Sequence, residues 1–166
     1  PGLVNAHAHL QLEPLARVER RFLPWVSAVI AARKERQSKD HRRVALGSLR
    51  ELLRSGTTAV GEIDSTGETG MALRSLPMTG RCYREVTGFH LLRRDARALV
   101  RDIFPKETGC MRSGLSPHAP YSVSPDLMRA AAQRTRSLAI HCAELPEEQQ
   151  FLRTGRGPFA ELLERL

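Results

Sequence analysis

The sequence predicts an α/β protein whose parallel strands alternate with helices in the manner of a (β/α)8 barrel. Three observations carry this. Short apolar runs alternate with helical patterns along the whole length, which argues for a parallel sheet with helices outside it. The residues best suited to chemistry, His7, His9, Glu85, His118 and His141, fall at or just past the carboxyl ends of candidate strands. In a (β/α)8 barrel that end carries the site. The first strand also runs directly into His7-Ala8-His9, where an open doubly wound sheet usually shows a Gly-rich phosphate turn.

Taken in order, residues 3–6 form the first strand candidate, and residues 23–36 and 43–54 read as helices. The second of these places Val44, Leu46, Leu49, Leu52 and Leu53 at helical spacing. Gly56 follows it as a C-cap glycine should. Strand candidates then lie at 57–63, 80–87, 111–116 and 138–142. Helices are expected at 69–75, 95–104, 125–135 and 159–166. The helix at 125 is well signalled, with Ser124 at its N-cap, Pro125 in the first turn and Asp126 near the positive end of the dipole.

The 166 residues suffice for one domain with a full core. The chain opens at proline inside a strand-like segment and stops part-way through an amphipathic helix, so it reads as a piece of a longer chain. The formal net charge of +8 is mostly arginine, in pairs such as Arg20-Arg21, Arg42-Arg43 and Arg93-Arg94. These fall in or beside helices, where an outward arginine is a solvated face. A nucleic-acid groove adds stacking aromatics to its basic residues, and aromatics here are few; no nucleic-acid partner is expected. No run reaches the length of a membrane span and no signal segment opens the chain, so no membrane partner is expected either. Cys82, Cys110 and Cys142 are odd in number and widely spaced, which fits a reduced, cytoplasmic setting with thiols buried in apolar strands.

Side chains at i and i+2 of a strand share a face, so His7 and His9 can converge on one ion at about 2.0–2.1 Å if it is zinc. His141 repeats the setting far downstream, ending Leu138-Ala139-Ile140 and preceding Cys142-Ala143-Glu144. Trp25 reads as core or as site, and Glu85 as site or as a partner of Arg84; His41 and His90 lack a motif and read as surface or loop residues.

The segment Pro1-Gly2-Leu3-Val4-Asn5-Ala6-His7-Ala8-His9-Leu10 resembles the opening barrel strand of the amidohydrolase superfamily, in its cytosine deaminase and chlorohydrolase-like branch. Three further segments agree in order and spacing: Ser55-Gly56-Thr57-Thr58-Ala59-Val60, Ser116-Pro117-His118-Ala119-Pro120-Tyr121-Ser122, and Ile140-His141-Cys142-Ala143-Glu144. Phe22-Leu23-Pro24-Trp25-Val26 and Arg84-Glu85-Val86-Thr87-Gly88-Phe89 are similar to the aminodeoxyfutalosine deaminase group, although Gln11 stands where a glutamate is often found there. The resemblance implies a barrel holding one divalent metal, zinc or iron, with His7, His9 and His141 as ligands. It makes Glu144 the acid/base residue and His118 a substrate contact. It further implies a histidine after the sixth strand and an aspartate after the eighth. Residues 1–166 would then be an incomplete barrel domain of about five βα units, without the flanking β-domain and the later strands.

The activity so implied is hydrolysis of a C–N bond, by preference deamination of an amino-substituted heterocycle or nucleoside. A metal supplies hydroxide at neutral pH, and a carboxylate such as Glu144 can carry the proton to the departing amine. The other readings are a chlorohydrolase or amidohydrolase acting on another small molecule, and a truncated, catalytically incomplete homologue. The metal, the substrate and any homo-oligomer are left open.

Overall fold

The structure, a computed structural model, describes residues 1–13, 19–34, 38–73, 76–104 and 111–164. Strand β1 (Leu3–Ala8) is followed by helices α1 (Phe22–Lys34) and α2 (Ser38–Arg54). Strand β2 (Thr57–Asp64) leads to the short helix α3 (Thr69–Leu73), β3 (Thr79–Val86) to α4 (Arg93–Ile103), and β4 (Met111–Pro117) to α5 (Pro125–Arg134). Helices α6 (Pro146–Thr154) and α7 (Pro158–Glu164) complete the described part. Among the described residues the strands form one parallel sheet in the order β1-β2-β3-β4, as the alternation of patterns predicts. This is the sheet of a partial (β/α)8 barrel.

Local chemistry accounts for the elements. Ser124 is extended and its side chain accepts from the Leu127 N–H, Pro125 takes the first turn, and Leu127, Ala130 and Ala131 are buried against β4 and α4. Helix α2 buries Val44, Ala45 and Leu49, and the last two meet Val60, Leu73, Met78 and Cys82. Each fully buried leucine stabilises the fold by about 1.5–3 kcal/mol. The arginine pairs are exposed, as solvated helix faces should be. No helix among the described residues is long and apolar enough to cross a membrane.

Several expectations are corrected. Residues 138–142 are not a full strand. They are laced to the outer edge of β4 by Leu115 N–H to Ser137 O (3.0 Å), Ala139 N–H to Leu115 O (3.1 Å) and His141 N–H to His118 O (2.9 Å), with one bridge between Leu115 and Leu138. A ladder needs extended pairing over several residues, and this segment makes only the single bridge. Helix α6 lies where no helix was expected; its marks are Pro146 in the first turn, Glu147 and Glu148 beside it, and Gly155 at a left-handed C-cap. Helix α2 starts five residues early and buries His41, read from sequence as a surface residue. Cys142 is exposed rather than buried, while Cys82 is buried as expected; Cys110, residues 35–36 and 74–75, and the last two residues of the 159–166 helix lie outside the described residues.

The sheet is strongly curved. Strands lie 4.7–4.9 Å apart, so flattening it would set β1 roughly 19 Å from the 137–141 segment. Yet His9 beyond β1 and His141 bring their ring nitrogens within 3.3 Å.

Candidate active site

His7 sits near the end of β1 and His9 just beyond it, on the same side of the strand. Their Nε2 atoms are 3.2 Å apart, and His9 Nε2 is 3.3 Å from His141 Nε2. Two nitrogens bound to one zinc at about 2.0–2.1 Å in tetrahedral geometry are roughly 3.3 Å apart. A ring nitrogen carries either one hydrogen or one lone pair, so His9 Nε2 cannot make an ordinary hydrogen bond to both neighbours. Three imidazole nitrogens closing on one point therefore fit a metal ion by spacing and by donor chemistry. Burial, and then the neighbouring His141, push the pKa of His7 down against an opposing pull from Glu144, which favours the neutral, lone-pair form that a metal needs.

Glu144 lies against His141, with Oε1 3.1 Å from Nδ1. A carboxylate accepts, so the hydrogen sits on Nδ1 and the Nε2 lone pair faces His9. The intervening Ala143 has φ +57°. Its N–H and that of Glu144 donate to the two carboxylate oxygens of Glu148, at 3.2 and 2.8 Å.

His118 follows β4 and is fixed through its main chain: its N–H donates to Val86 O (3.0 Å) and its carbonyl accepts from His141 N–H (2.9 Å). Its Nδ1 is 2.7 Å from Ser122 Oγ, and its ring centroid is 5.3 Å from that of His141. Glu85 ends up with this pair: ligand atoms of Glu85, His118 and His141 all lie within 4.8 Å of one another. Arg84, one residue earlier and on the opposite face, donates instead to Asp64 O (2.8 Å).

These groups line a cavity of about 500 Å³, whose polar end is His9, Glu85, His118, His141 and Glu144. The other wall is apolar, built by Phe22, Trp25, Val26, Val29 and Ile30 of α1 with Leu162 and Leu163 of α7. Trp25 is thus a wall residue, 39% exposed, rather than core. Tyr121 also lines the cavity, and burial followed by the nearby Glu144, Glu148 and Glu85 carboxylates pushes its phenol pKa up. Such a chamber can hold a drug-sized or nucleoside-sized molecule.

Sequence reasoning missed the groups that hold the histidines in place. Glu62 is fully buried and accepts the Leu10 N–H on both oxygens, at 3.0 and 3.2 Å, fixing the chain directly after His9. Gly61 lets the Ala6 carbonyl approach so closely that a Cβ there would lie 2.2 Å from it. This contact falls at the irregular register between Asn5 and Ala8. The available signal was a glycine and a glutamate in the middle of a strand.

The sequence profile of the amidohydrolase family matches residues 1–165. The chain is 32% identical to the aminodeoxyfutalosine deaminase of Deinococcus radiodurans over 95% of its own length and 40% of the relative's. It is 29% identical to the enzyme of that name from a Nitratiruptor species, over 97% of this chain and 42% of the relative. It therefore spans about two fifths of the length of these curated relatives. Its fold superimposes on Helicobacter pylori aminofutalosine deaminase, solved in complex with methylthio-coformycin, with a TM-score of 0.83 at 22% identity, covering 99% of this chain and 42% of that one. On the match that runs from its first strand to its last helix, the chain belongs to the amidohydrolase family.

Proposed function

We propose that the full-length protein is a metal-dependent hydrolase that deaminates an amino-substituted purine nucleoside, exchanging the amino group for oxygen and releasing ammonia. The observation that carries this reading is the closure of His7, His9 and His141 on one point, with Glu144 beside them and His118 on the wall of a nucleoside-sized cavity. The relatives named as nucleoside deaminases support it. Residues 1–166 are taken as the opening part of one barrel domain, whose later strands supply the further histidine and aspartate. The free thiols of Cys82 and Cys142 fit a reducing, cytoplasmic setting.

The three imidazoles would hold the ion, and imidazole donors suit zinc and iron alike. When bound, the ion supplies a hydroxide-like nucleophile at neutral pH. Glu144 accepts the proton of the attacking water on a carboxylate oxygen and returns it to the departing amine. His118, with Nδ1 engaged by Ser122, offers Nε2 to the substrate ring. The apolar wall of α1 excludes water from the reacting end.

The test is ammonia release from aminopurine nucleosides by the zinc- or iron-loaded full-length protein. His7→Ala and His9→Ala should lose metal, whereas Glu144→Gln should keep the metal and lose turnover. Retention of most activity by Glu144→Gln would sink the proton-carrier role, and full metal occupancy in His9→Ala would sink the triad.

A further inference from the structure

We propose that Glu148 is the positioning residue for Glu144, acting through the main chain of the 141–144 turn. The inference rests on the reading of Glu144 as the proton carrier.

Glu148 is only 1% exposed, and a carboxylate is rarely buried without dedicated partners. Here both oxygens take main-chain donors, Oε1 the Ala143 N–H at 3.2 Å and Oε2 the Glu144 N–H at 2.8 Å. Ala143 has φ +57°, the left-handed region that a residue with a side chain avoids. Such a conformation persists only where the surroundings over-determine it, and the paired bonds to Glu148 do so. Glu148 itself stands in the first turn of α6, whose N-terminal dipole favours a carboxylate. Its own N–H donates to Leu145 O (3.2 Å), closing the segment on itself.

The left-handed residue reverses the chain between His141 and Glu144. That reversal returns the Glu144 side chain to His141 Nδ1 and to the cavity wall. Without it, the chain would continue outward from the strand end into α6. Glu148 is buried and does not line the cavity, whereas Glu144 does, so the proton-carrying task falls to Glu144. Its contribution is to keep the Glu144 carboxylate within reach of the reacting atoms.

The experiment uses the zinc-loaded full-length protein with Glu148→Gln, which keeps the volume and one acceptor oxygen, and Glu148→Ala. The expected result is a fall in kcat of about 10–100-fold, with KM and metal content near those of the parent. Amide exchange at Ala143 and Glu144 should quicken about tenfold. Adding Ala143→Gly to Glu148→Gln should restore a measurable part of kcat, since glycine adopts the left-handed conformation without strain; a residue that only started α6 would give no such rescue. Glu148→Gln with parental kcat, unchanged exchange at both amides, or absence of rescue overturns the proposal. If Glu148→Ala does not fold, Glu148→Gln carries all three measurements. Turnover retained by Glu144→Gln would overturn the proton-carrier reading instead, and the exchange data would still judge the clamp.

Discussion

Gly61→Ala tests whether close packing of β1 on β2 sets the spacing of the three histidines. A Cβ at this position would lie 2.2 Å from the Ala6 carbonyl oxygen and 2.9 Å from its carbon, both main-chain atoms that cannot swing aside. Contacts of this kind below 3.0 Å essentially do not occur, so β1 must retreat by roughly 0.8 Å to reach even a tight contact. Overpacking of this kind costs about 1–3 kcal/mol. The retreat carries His7 and His9 away from His141, whose nitrogens now sit 3.2–3.3 Å apart in sequence around His9. Metal–ligand distances tolerate only about ±0.2 Å. Gly61→Ala should therefore lower both the denaturation midpoint and the zinc affinity, the latter by about 10–100-fold, the usual cost of disturbing ligand support. Denaturant titration and a competitive zinc-chelator titration on the full-length protein read the two effects. A variant with parental midpoint and parental zinc affinity would refute the reasoning.

Gly47→Ala is the matching control: it lies inside α2 with no atom within 4 Å of its added Cβ, and it should stabilise by about 1 kcal/mol, measured as a raised denaturation midpoint. Burial pushes the Glu62 carboxyl well above its usual range, so the folded state holds that proton more tightly than the unfolded chain does. Its stabilising contribution is complete below the unfolded value of about 4.3 and is lost as pH climbs through the raised folded value. Glu62→Gln should flatten this decline, so that its stability relative to the parent improves as pH rises from about 4; a stability difference from the parent that does not change with pH would count against it. Ser124→Ala removes the bond from Leu127 N–H (3.0 Å) and the one donated to Leu91 O (2.6 Å). It should cost about 1–2 kcal/mol, and an unchanged melting curve would contradict the capping role.

The parallel sheet was legible because short strand-like segments alternate with helical patterns, and because α2 and α5 carry helical spacing and caps. The meeting of three histidines was legible for a simpler reason: His7 and His9 lie on one strand face, and His141 ends a run of the same kind. What stayed hidden depends on contacts distant in sequence. Nothing near Glu62 shows that Leu10, 52 residues away, donates to it. Nothing local shows that Gly61 faces the Ala6 carbonyl. Glu85 looked like a neighbour for Arg84, yet strand alternation sends the two to opposite faces. Helix α6 is masked by its position a few residues beyond His141, where a loop is the ordinary continuation of a strand end, although Pro146 and the acidic pair after it mark a helix start. The edge segment 138–142 shows the reverse error, an apolar pattern that pairs along only a few residues.

The curvature that brings His9 to His141 also has an entropic consequence. An ion held by both would cross-link positions 132 residues apart in the chain, much as a disulfide would. In the chain-entropy treatment, tying a loop of that length removes roughly 5 kcal/mol of freedom from the unfolded ensemble, if the link persists there. Bound only by the folded state, the ion instead stabilises through mass action, by about 2.7 kcal/mol at a hundredfold excess over its dissociation constant. In either limit such an ion would act as a chord across the arc of the sheet, holding its two margins together. Removing it should loosen β1 and the 137–141 segment together, far apart in sequence though they are, and hydrogen exchange at these two margins should respond to chelation as one unit.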